Sequence, residues 1–267
     1  MKTLLIPTDF SKNADHAARY GLSIAQKTNA TVILLNSYEL PYADTVMTTS
    51  LLEVMRKNSN EQLEALKKKY NAEFPDVDID IMSSMNNSIR AIKTHAERLQ
   101  VDLVVMGTKG ATGLQEVLIG STTASVLSGN VCPVLAIPQN AEMSSMEHAA
   151  FFIDGRIGKN DGRALAFLSS FLTVMGASLN VVHVYDEVEE IIEEPALLKE
   201  YLTTPYTFGN VYATEVEEGI AKYIDEHDIH LAVMLKRKYT FIERLFHRSQ
   251  TASMANHSHI PLLAIQE

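Results

Sequence analysis

The feature that most constrains the fold of this chain is an internal repeat. Positions 103–137 align with positions 231–265 at a constant offset of 128 and without a gap. Twelve of the 35 aligned pairs are identical, beginning with Leu103 and Leu231. Self-similarity at a fixed offset is typical of a domain that occurs more than once in a chain. The two halves are therefore homologous copies of one domain.

Upstream of this segment the offset between the copies changes. The run Ala30–Asn36 aligns with Ala177–His183 at an offset near 146–147, so the second copy lacks about 18 residues (146 − 128) in its middle. We expect the missing residues to come from the long amphipathic stretch of the first copy, roughly 46–70. The chain is thus predicted to hold two domains, residues 1–138 and 149–267.

Within each copy, apolar runs alternate with amphipathic stretches. The run from Thr31 to Leu35 is almost continuously apolar, which is typical of a parallel strand buried on both faces. Small and apolar residues recur at helical spacing from Ala14 to Ala25, and Ser11 can cap this helix. Strands that alternate with helices predict an α/β fold, with a doubly wound parallel sheet of five strands in each copy. The predicted strands of the first copy are Leu4–Ile6, Thr31–Leu35, Val77–Ile81, Leu103–Met106 and Val134–Ile137.

Composition narrows the functional classes. The formal net charge of −10 argues against a general nucleic-acid binder, because binding a phosphate backbone requires a basic face. The single cysteine, Cys132, excludes an intrachain disulfide and favours a reducing compartment, so we expect a cytoplasmic location. Cys132 itself is expected to be a small buried hydrophobe. No run approaches the ~20 apolar residues of a membrane helix, so no membrane partner is expected.

Residues suited to bind phosphate are concentrated in a glycine-bearing loop after the fourth strand. The loop reads Gly107-Thr108-Lys109-Gly110, then nine residues, then Gly120-Ser121-Thr122. Amides at a helix N-terminus are unpaired and the helix dipole favours an anion there. Glycine is expected because a Cβ would hold phosphate oxygens off the backbone or forbid the required φ angle. The same glycines also fit a plain turn and helix start, which is the alternative.

Three motifs in this order resemble the universal stress protein family. They are the opening Ile6–Ser11, the Gly-x2-Gly-x9-Gly-Ser pattern from Gly107 to Ser121, and the closing Cys132–Ile137. The resemblance covers essentially all of residues 1–138 and, more weakly, 149–266, as in tandem members. It implies a Rossmann-like domain of the adenine nucleotide alpha hydrolase type. It also implies that this domain binds ATP, or a related adenine nucleotide, with Mg²⁺ or another divalent cation.

The resemblance also implies the roles of individual residues. Asp9 and Ser37 would flank the adenine and ribose, although relatives often have valine at the Ser37 position, which suggests looser adenine packing. Asp9 has a compatible structural interpretation as a turn residue before Ser11. The residues predicted to contact the nucleotide are Pro7, Thr8, Asp9, Ser37, Met106, Gly107, Lys109, Gly110, Gly120, Ser121, Thr122 and Thr123.

The second copy lacks the glycines of this pattern. The residues at the three positions are Leu235, Lys238 and Arg248. A leucine would occupy the space of a phosphate, and long cationic side chains prevent close approach to the backbone. We predict that the second copy does not bind ATP in the family manner. Its segment His183–Tyr185 still resembles the family's second-strand ending, which leaves an adenine-shaped crevice as an open alternative.

The predicted function is a stress-response switch, in which ATP orders residues 107–122 and changes the surface offered to an unidentified protein partner. One alternative is slow ATP hydrolysis, for which Asp9 and Glu116 are weak candidates to activate water. The other is a nucleotide-independent scaffold that uses the basic loop of the second copy, residues 236–248. No catalytic residue is assigned, and no metal site is assigned because the histidine pairs lack a third ligand at usual spacing.

The resemblance further predicts how the copies associate. Family members pair through their last strands, so Val134–Ile137 and Leu262–Ile265 are the expected seam of an intramolecular pseudo-dimer. A homodimer of the whole chain is left open as an additional state.

Overall fold

A computed structural model of the chain describes residues 1–40, 48–109, 119–129, 131–142, 146–186, 191–236 and 260–266. Its contacts divide the chain into two units, Met1–Gln139 and Asn140–Glu267. Within the described residues, no helix is long and apolar enough to cross a membrane.

The N-terminal unit alternates strands and helices. Its described strands are β1 (Thr3–Pro7), β2 (Thr31–Tyr38), β3 (Ile79–Met85), β4 (Leu103–Gly107) and β5 (Val134–Ile137). Its described helices are α1 (Lys12–Thr28), α2 (Thr48–Glu73), α3 (Ser88–Arg98) and α4 (Ser121–Ser128). The strands are parallel in the order β3-β2-β1-β4-β5. The strand order therefore reverses between β1 and β4, which is where open α/β sheets form a crevice for ligands.

The packing of helix α1 follows from its sequence. Its alanines and Leu22 are buried against the sheet, and the Ser11 side chain accepts a hydrogen bond from the amide of Ala14 at 3.2 Å. This contact confirms the predicted helix cap. On the outer side, Asp15 accepts hydrogen bonds from the Tyr70 hydroxyl at 2.8 Å and from Lys69 at 2.6 Å. The Asp15 carboxylate thus joins α1 to α2.

The C-terminal unit repeats this winding. Its described strands are β6 (His148–Ile153), β7 (Ser178–Tyr185), β8 (Tyr206–Tyr212), β9 (Leu231–Lys236) and β10 (Leu262–Gln266). Its described α-helices are α5 (Gly162–Met175), α6 (Ala196–Tyr201) and α7 (Val216–Glu226). The strands are parallel in the order β8-β7-β6-β9-β10, which is the order of the first unit. The predicted fold of two doubly wound repeats is confirmed.

The structure confirms the expected helical deletion in the second unit and corrects the bounds of one predicted strand. The expected helical deletion is confirmed, because α2 has 26 residues whereas α6 has six. The strand predicted at 77–81 is shifted and runs from Ile79 to Met85. The apolar alternation stops at Ile81, but the strand continues because its backbone pairs with β2 as far as Tyr38. Backbone pairing, which the side-chain pattern does not report, sets this boundary.

Cys132 is buried, at 7% exposure. Burial raises the pKa of its thiol to about 12, so the side chain stays protonated and unreactive near neutral pH. The expectation of a small buried hydrophobe is confirmed.

Candidate functional site

A cavity of about 170 Å³ opens at the carboxyl ends of β1, β2 and β4. Eleven of the twelve residues predicted to contact a nucleotide line it, and Gly110 lies outside the described residues. Their role in nucleotide binding stays a prediction, but the fold brings them to one place. The eleven are Pro7, Thr8, Asp9, Ser37, Met106, Gly107, Lys109, Gly120, Ser121, Thr122 and Thr123.

The turn between β1 and α1 forms one wall of the cavity. The Thr8 hydroxyl oxygen accepts a hydrogen bond from the amide of Phe10 at 3.0 Å, and Asp9 Oδ1 accepts one from the amide of Ser11 at 3.0 Å. Phe10 has a left-handed backbone with φ of 64°, which a non-glycine residue adopts mainly in turns. The predicted turn role of Asp9 is confirmed, and the turn holds its carboxyl group at the cavity.

The end of β2 forms a second wall. The Ser37 hydroxyl donates a hydrogen bond to the hydroxyl oxygen of Ser88 at 2.9 Å. Ser88 begins α3, one turn before Ile92, and both line the cavity. Our sequence analysis missed these two residues, because nothing in the pattern of α3 indicates that its first turn lies beside β2.

The N-terminus of α4 forms the third wall. The residue before this helix is Gly120, which has an ordinary φ of −67° and no side chain to cap the helix. The first intrahelical bond runs from the amide of Ala124 to the carbonyl of Gly120 at 3.0 Å. The amides of Ser121, Thr122 and Thr123 precede this bond, and such amides have no partner within a helix.

Loop contacts hold the start of α4 against the end of β4. The Thr123 hydroxyl donates to the carbonyl of Gly107 at 2.8 Å, and the amide of Gly120 donates to the carbonyl of Thr108 at 2.7 Å. Thr123 is only 3% exposed. Its hydroxyl therefore positions the loop, while Ser121 and Thr122 are the more accessible hydroxyls at the cavity.

The structure gives a reason for glycine at position 107 in addition to the predicted contact with phosphate, which stays a prediction. Its φ does not lie in the left-handed region, and a Cβ at this position would be 2.9 Å from Nδ2 and 3.1 Å from Cγ of Asn13. Asn13, on the first turn of α1, is buried and donates from Nδ2 to the carbonyl of Lys109. Glycine at 107 thus makes room for the amide that holds Lys109. Sequence reasoning missed Asn13, since a polar residue in an N-terminal helical turn carries no such signal.

Among the residues that the structure describes, the charged side chains that line the cavity are those of Asp9 and Lys109. In the described part of the chain, no three His, Cys, Asp or Glu residues are grouped as metal ligands. Mg²⁺ is commonly held by one or two carboxylates together with substrate phosphates. The donor set therefore fits a divalent ion that arrives on a nucleotide better than a resident metal.

The equivalent position in the C-terminal unit has a different lining. Strand pairing places His183 at the position of Asn36, and Gly155 at that of Phe10. The Asn210 side chain holds the backbone of Ile192, accepting from its amide at 3.2 Å and donating to its carbonyl at 3.0 Å. A Cβ on Gly155 would be 3.2 Å from Cγ2 of Ile192. The Ile192 side chain thus lies against the turn after β6, which is equivalent to the β1–α1 turn of the N-terminal unit.

Most of the basic loop of the second copy lies outside the described residues. Residues 237–250, which include Lys238 and Arg248, are not described, and neither is Glu116 of the first copy. The scaffold and hydrolysis alternatives that depend on them stay predictions.

Comparisons with known proteins found a matching family model, similar sequences and similar folds. A model of the universal stress protein family matches residues 1–138. A universal stress protein of Methanocaldococcus jannaschii is 32% identical over 142 residues, which cover 51% of this chain and 81% of that protein. One of Thermus aquaticus is 28% identical over 136 residues, covering 51% of this chain and 98% of the relative. Among solved structures, a universal stress protein from Archaeoglobus fulgidus covers 99% of this chain and 96% of its own, with a TM-score of 0.72 and 18% identity.

Proposed function

This chain belongs to the universal stress protein family, and from that premise we propose that the cavity of its N-terminal unit binds an adenine nucleotide, ATP in the first instance. The observation that carries the proposal is the convergence of the β1–α1 turn, the end of β2 and the N-terminus of α4 on one cavity. These elements are far apart in the sequence, and their meeting point lies where the strand order reverses.

The two sides of the cavity suit the two ends of a nucleotide. Leu35, Met106 and Ile92 offer an apolar surface for a base, and the Asp9 and Ser37 side chains can hydrogen bond to base or ribose. On the other side, the first amides of α4 and the hydroxyls of Ser121 and Thr122 can donate to phosphate oxygens. A base and a phosphate chain would thereby bridge β2 and α4.

Charge supports a nucleotide that carries its own metal ion. The Lys109 side chain can neutralise part of the phosphate charge, and the helix dipole of α4 contributes a further partial positive charge. Mg²⁺ supplies the remaining neutralisation when it is bound to the phosphates.

We propose one nucleotide site per chain. In the C-terminal unit, Leu235 stands in place of Gly107, and Ile192 lies against Gly155. The first change introduces a side chain at the position of a cavity-lining glycine, and the second covers the turn equivalent to the β1–α1 turn. The degenerate second domain then acts as a structural partner, and nucleotide binding in the first changes the surface offered to another protein.

Calorimetric titration of ATP with Mg²⁺ into the full chain tests this proposal. Gly120→Val places a branched side chain beside the amides of α4, and Gly129→Val is the matched control at the other end of the same helix. A Cβ on Gly129 comes closest to the Lys93 side chain, 2.6 Å from its Cε, a flexible group that can move aside.

We expect about one site per wild-type chain. Gly120→Val should weaken binding at least ~10-fold, since several charge-assisted hydrogen bonds are lost, and Gly129→Val should bind within about twofold of wild type because the phosphate site is intact. Absence of binding by the wild type, two sites per chain, or equal losses in both variants would contradict the proposal.

A further inference from the structure

A second groove lies in the C-terminal unit, between the carboxyl end of β8 and α7. Its volume is about 380 Å³, within the range of about 300–1,000 Å³ that is usual for small-molecule sites. One stripe of α7 lines it on one side, and the end of β8 with the following turn lines it on the other. The lining side chains that matter here are Tyr212, Glu218, Lys222, Tyr223, Glu226 and His227.

The groove lies where the two units differ. Two residues separate β3 from α3, whereas three separate β8 from α7. In the N-terminal unit, His95 of α3 hydrogen bonds to Ser84 of β3 at 3.1 Å. Tyr223 occupies the position of His95, but its hydroxyl is hydrogen-bonded to Asn180 on β7. Helix α7 packs closely on the turn after β8 at Gly219, where a Cβ would lie 2.5 Å from Cβ of Ala213, and both residues form part of the lining of the groove.

Aromatic rings form one wall of this groove. The His227 ring stacks on the Tyr223 ring, with centroids 3.8 Å apart and an interplanar angle of 11°. Tyr223 is held from behind by an edge contact with Phe152 at 6.0 Å. Tyr212 is 59% exposed at the mouth of the groove. Because Tyr223 is packed between the rings of His227 and Phe152, this wall exists before any ligand binds.

The charged groups of the groove sum to a net negative charge. Lys222 Nζ lies 3.7 Å from Oε1 of Glu226 on the next helical turn, so these two charges compensate each other. Glu218, one turn before Lys222, adds a carboxylate to the lining. Aromatic faces and carboxylates both attract cations, and aromatic faces favour organic cations with little hydration in particular.

We infer that this groove binds a small organic cation, in which an ammonium group lies between Glu218 and the aromatic wall. The apolar substituents of the ligand would contact Tyr212 and the stacked pair. This site is separate from the proposed nucleotide cavity, and its ligand class is opposite in charge.

The test uses phenyltrimethylammonium as a probe and benzenesulfonate as an anion of similar size. Binding of each to the full chain is measured by ligand-observed NMR titration at low salt. The variants are Glu218→Gln, Lys222→Gln and the matched control Glu217→Gln, whose carboxylate belongs to the same helix but not to the lining of the groove. Thermal unfolding of each variant shows that the fold is retained.

The three variants should change the affinity for the cation in different directions. Glu218→Gln should weaken binding of the cation about fivefold, because it removes an attractive negative charge at contact distance. Lys222→Gln should strengthen binding about threefold, because it removes a repulsive positive charge. Glu217→Gln should change affinity less than twofold. Preference for benzenesulfonate, no binding of either probe, weaker cation binding in Lys222→Gln, or equal losses in the two glutamate variants would each overturn the inference.

Discussion

The contact between Gly107 and Asn13 leads to a prediction that can be worked out from atomic distances. A Cβ at position 107 would lie 2.9 Å from Nδ2 and 3.1 Å from Cγ of Asn13, whereas unstrained contacts between such atoms are about 3.5–4.0 Å. Gly107→Ala therefore forces the Asn13 amide away from the carbonyl of Lys109. Overpacking of this kind costs about 1–3 kcal/mol of the free energy of unfolding.

The same reasoning predicts strong coupling between the two positions. Asn13→Ala alone should cost about 1–2 kcal/mol, because the carbonyl of Lys109 loses its hydrogen bond. In that background the atom nearest to a new Cβ at 107 is the Asn13 carbonyl oxygen at 3.2 Å, so Gly107→Ala should cost less than about 0.5 kcal/mol. The coupling free energy between the two positions is then about 0.5–3 kcal/mol.

Urea unfolding followed by circular dichroism measures the four proteins of this cycle. The two units should be fitted as separate transitions, since a chain with two units need not unfold in one step. If Gly107→Ala is neutral in the wild type, or costs the same with and without Asn13, then the asparagine is not the reason for the glycine. The loop would then require glycine for contact with a ligand, as the sequence alone had suggested.

Three further predictions concern the stability of the N-terminal unit. Tyr70→Phe removes the hydrogen bond to Asp15 at 2.8 Å from a side chain that is 1% exposed, and urea unfolding should show a loss of about 1–2 kcal/mol. Burial raises the pKa of Asp15, but hydrogen bonds from its neighbours outweigh burial and hold this pKa below its ordinary value. The depressed pKa stabilises the fold above roughly pH 4 and this contribution is lost as pH falls, so Asp15→Asn should flatten the acid side of the curve of Tm against pH. Leu63→Ala, at a fully buried position, should cost about 2–5 kcal/mol, whereas Val54→Ala on the same helix, 53% exposed, should change stability by less than about 0.5 kcal/mol.

Much of the fold could be predicted because the spacing of apolar residues along short segments indicates the strands and helices. Apolar runs such as Leu103–Met106 indicate strands that are buried on both faces of a sheet. The 128-residue offset indicates a second copy of the same α/β domain. The glycine loop could be placed because it lies directly after a strand, where open α/β folds bind ligands. The resemblance to the family, and not the fold class, predicted that Asp9 and Ser37 lie beside it.

The residues that were missed share a physical cause. A helical pattern tells which side of α1 or α3 is buried, but not which loop of another element lies against it. Asn13 and Ser88 therefore look like ordinary polar residues at helix starts, and only the three-dimensional structure reveals their neighbours. The contact between Ile192 and Gly155 was missed for the same reason, because it depends on the Asn210 side chain of a later strand.

Hydrogen exchange with and without saturating ATP and Mg²⁺ tests most directly the claim that the first unit, and not the second, binds the nucleotide. With nucleotide bound, we expect slower amide hydrogen exchange in peptides that cover residues 7–11 and 119–124. We expect little change in exchange at the equivalent turn of the second unit, residues 152–156, and at residues 191–194. Protection centred on the second unit, or no protection anywhere at saturating nucleotide, would contradict it.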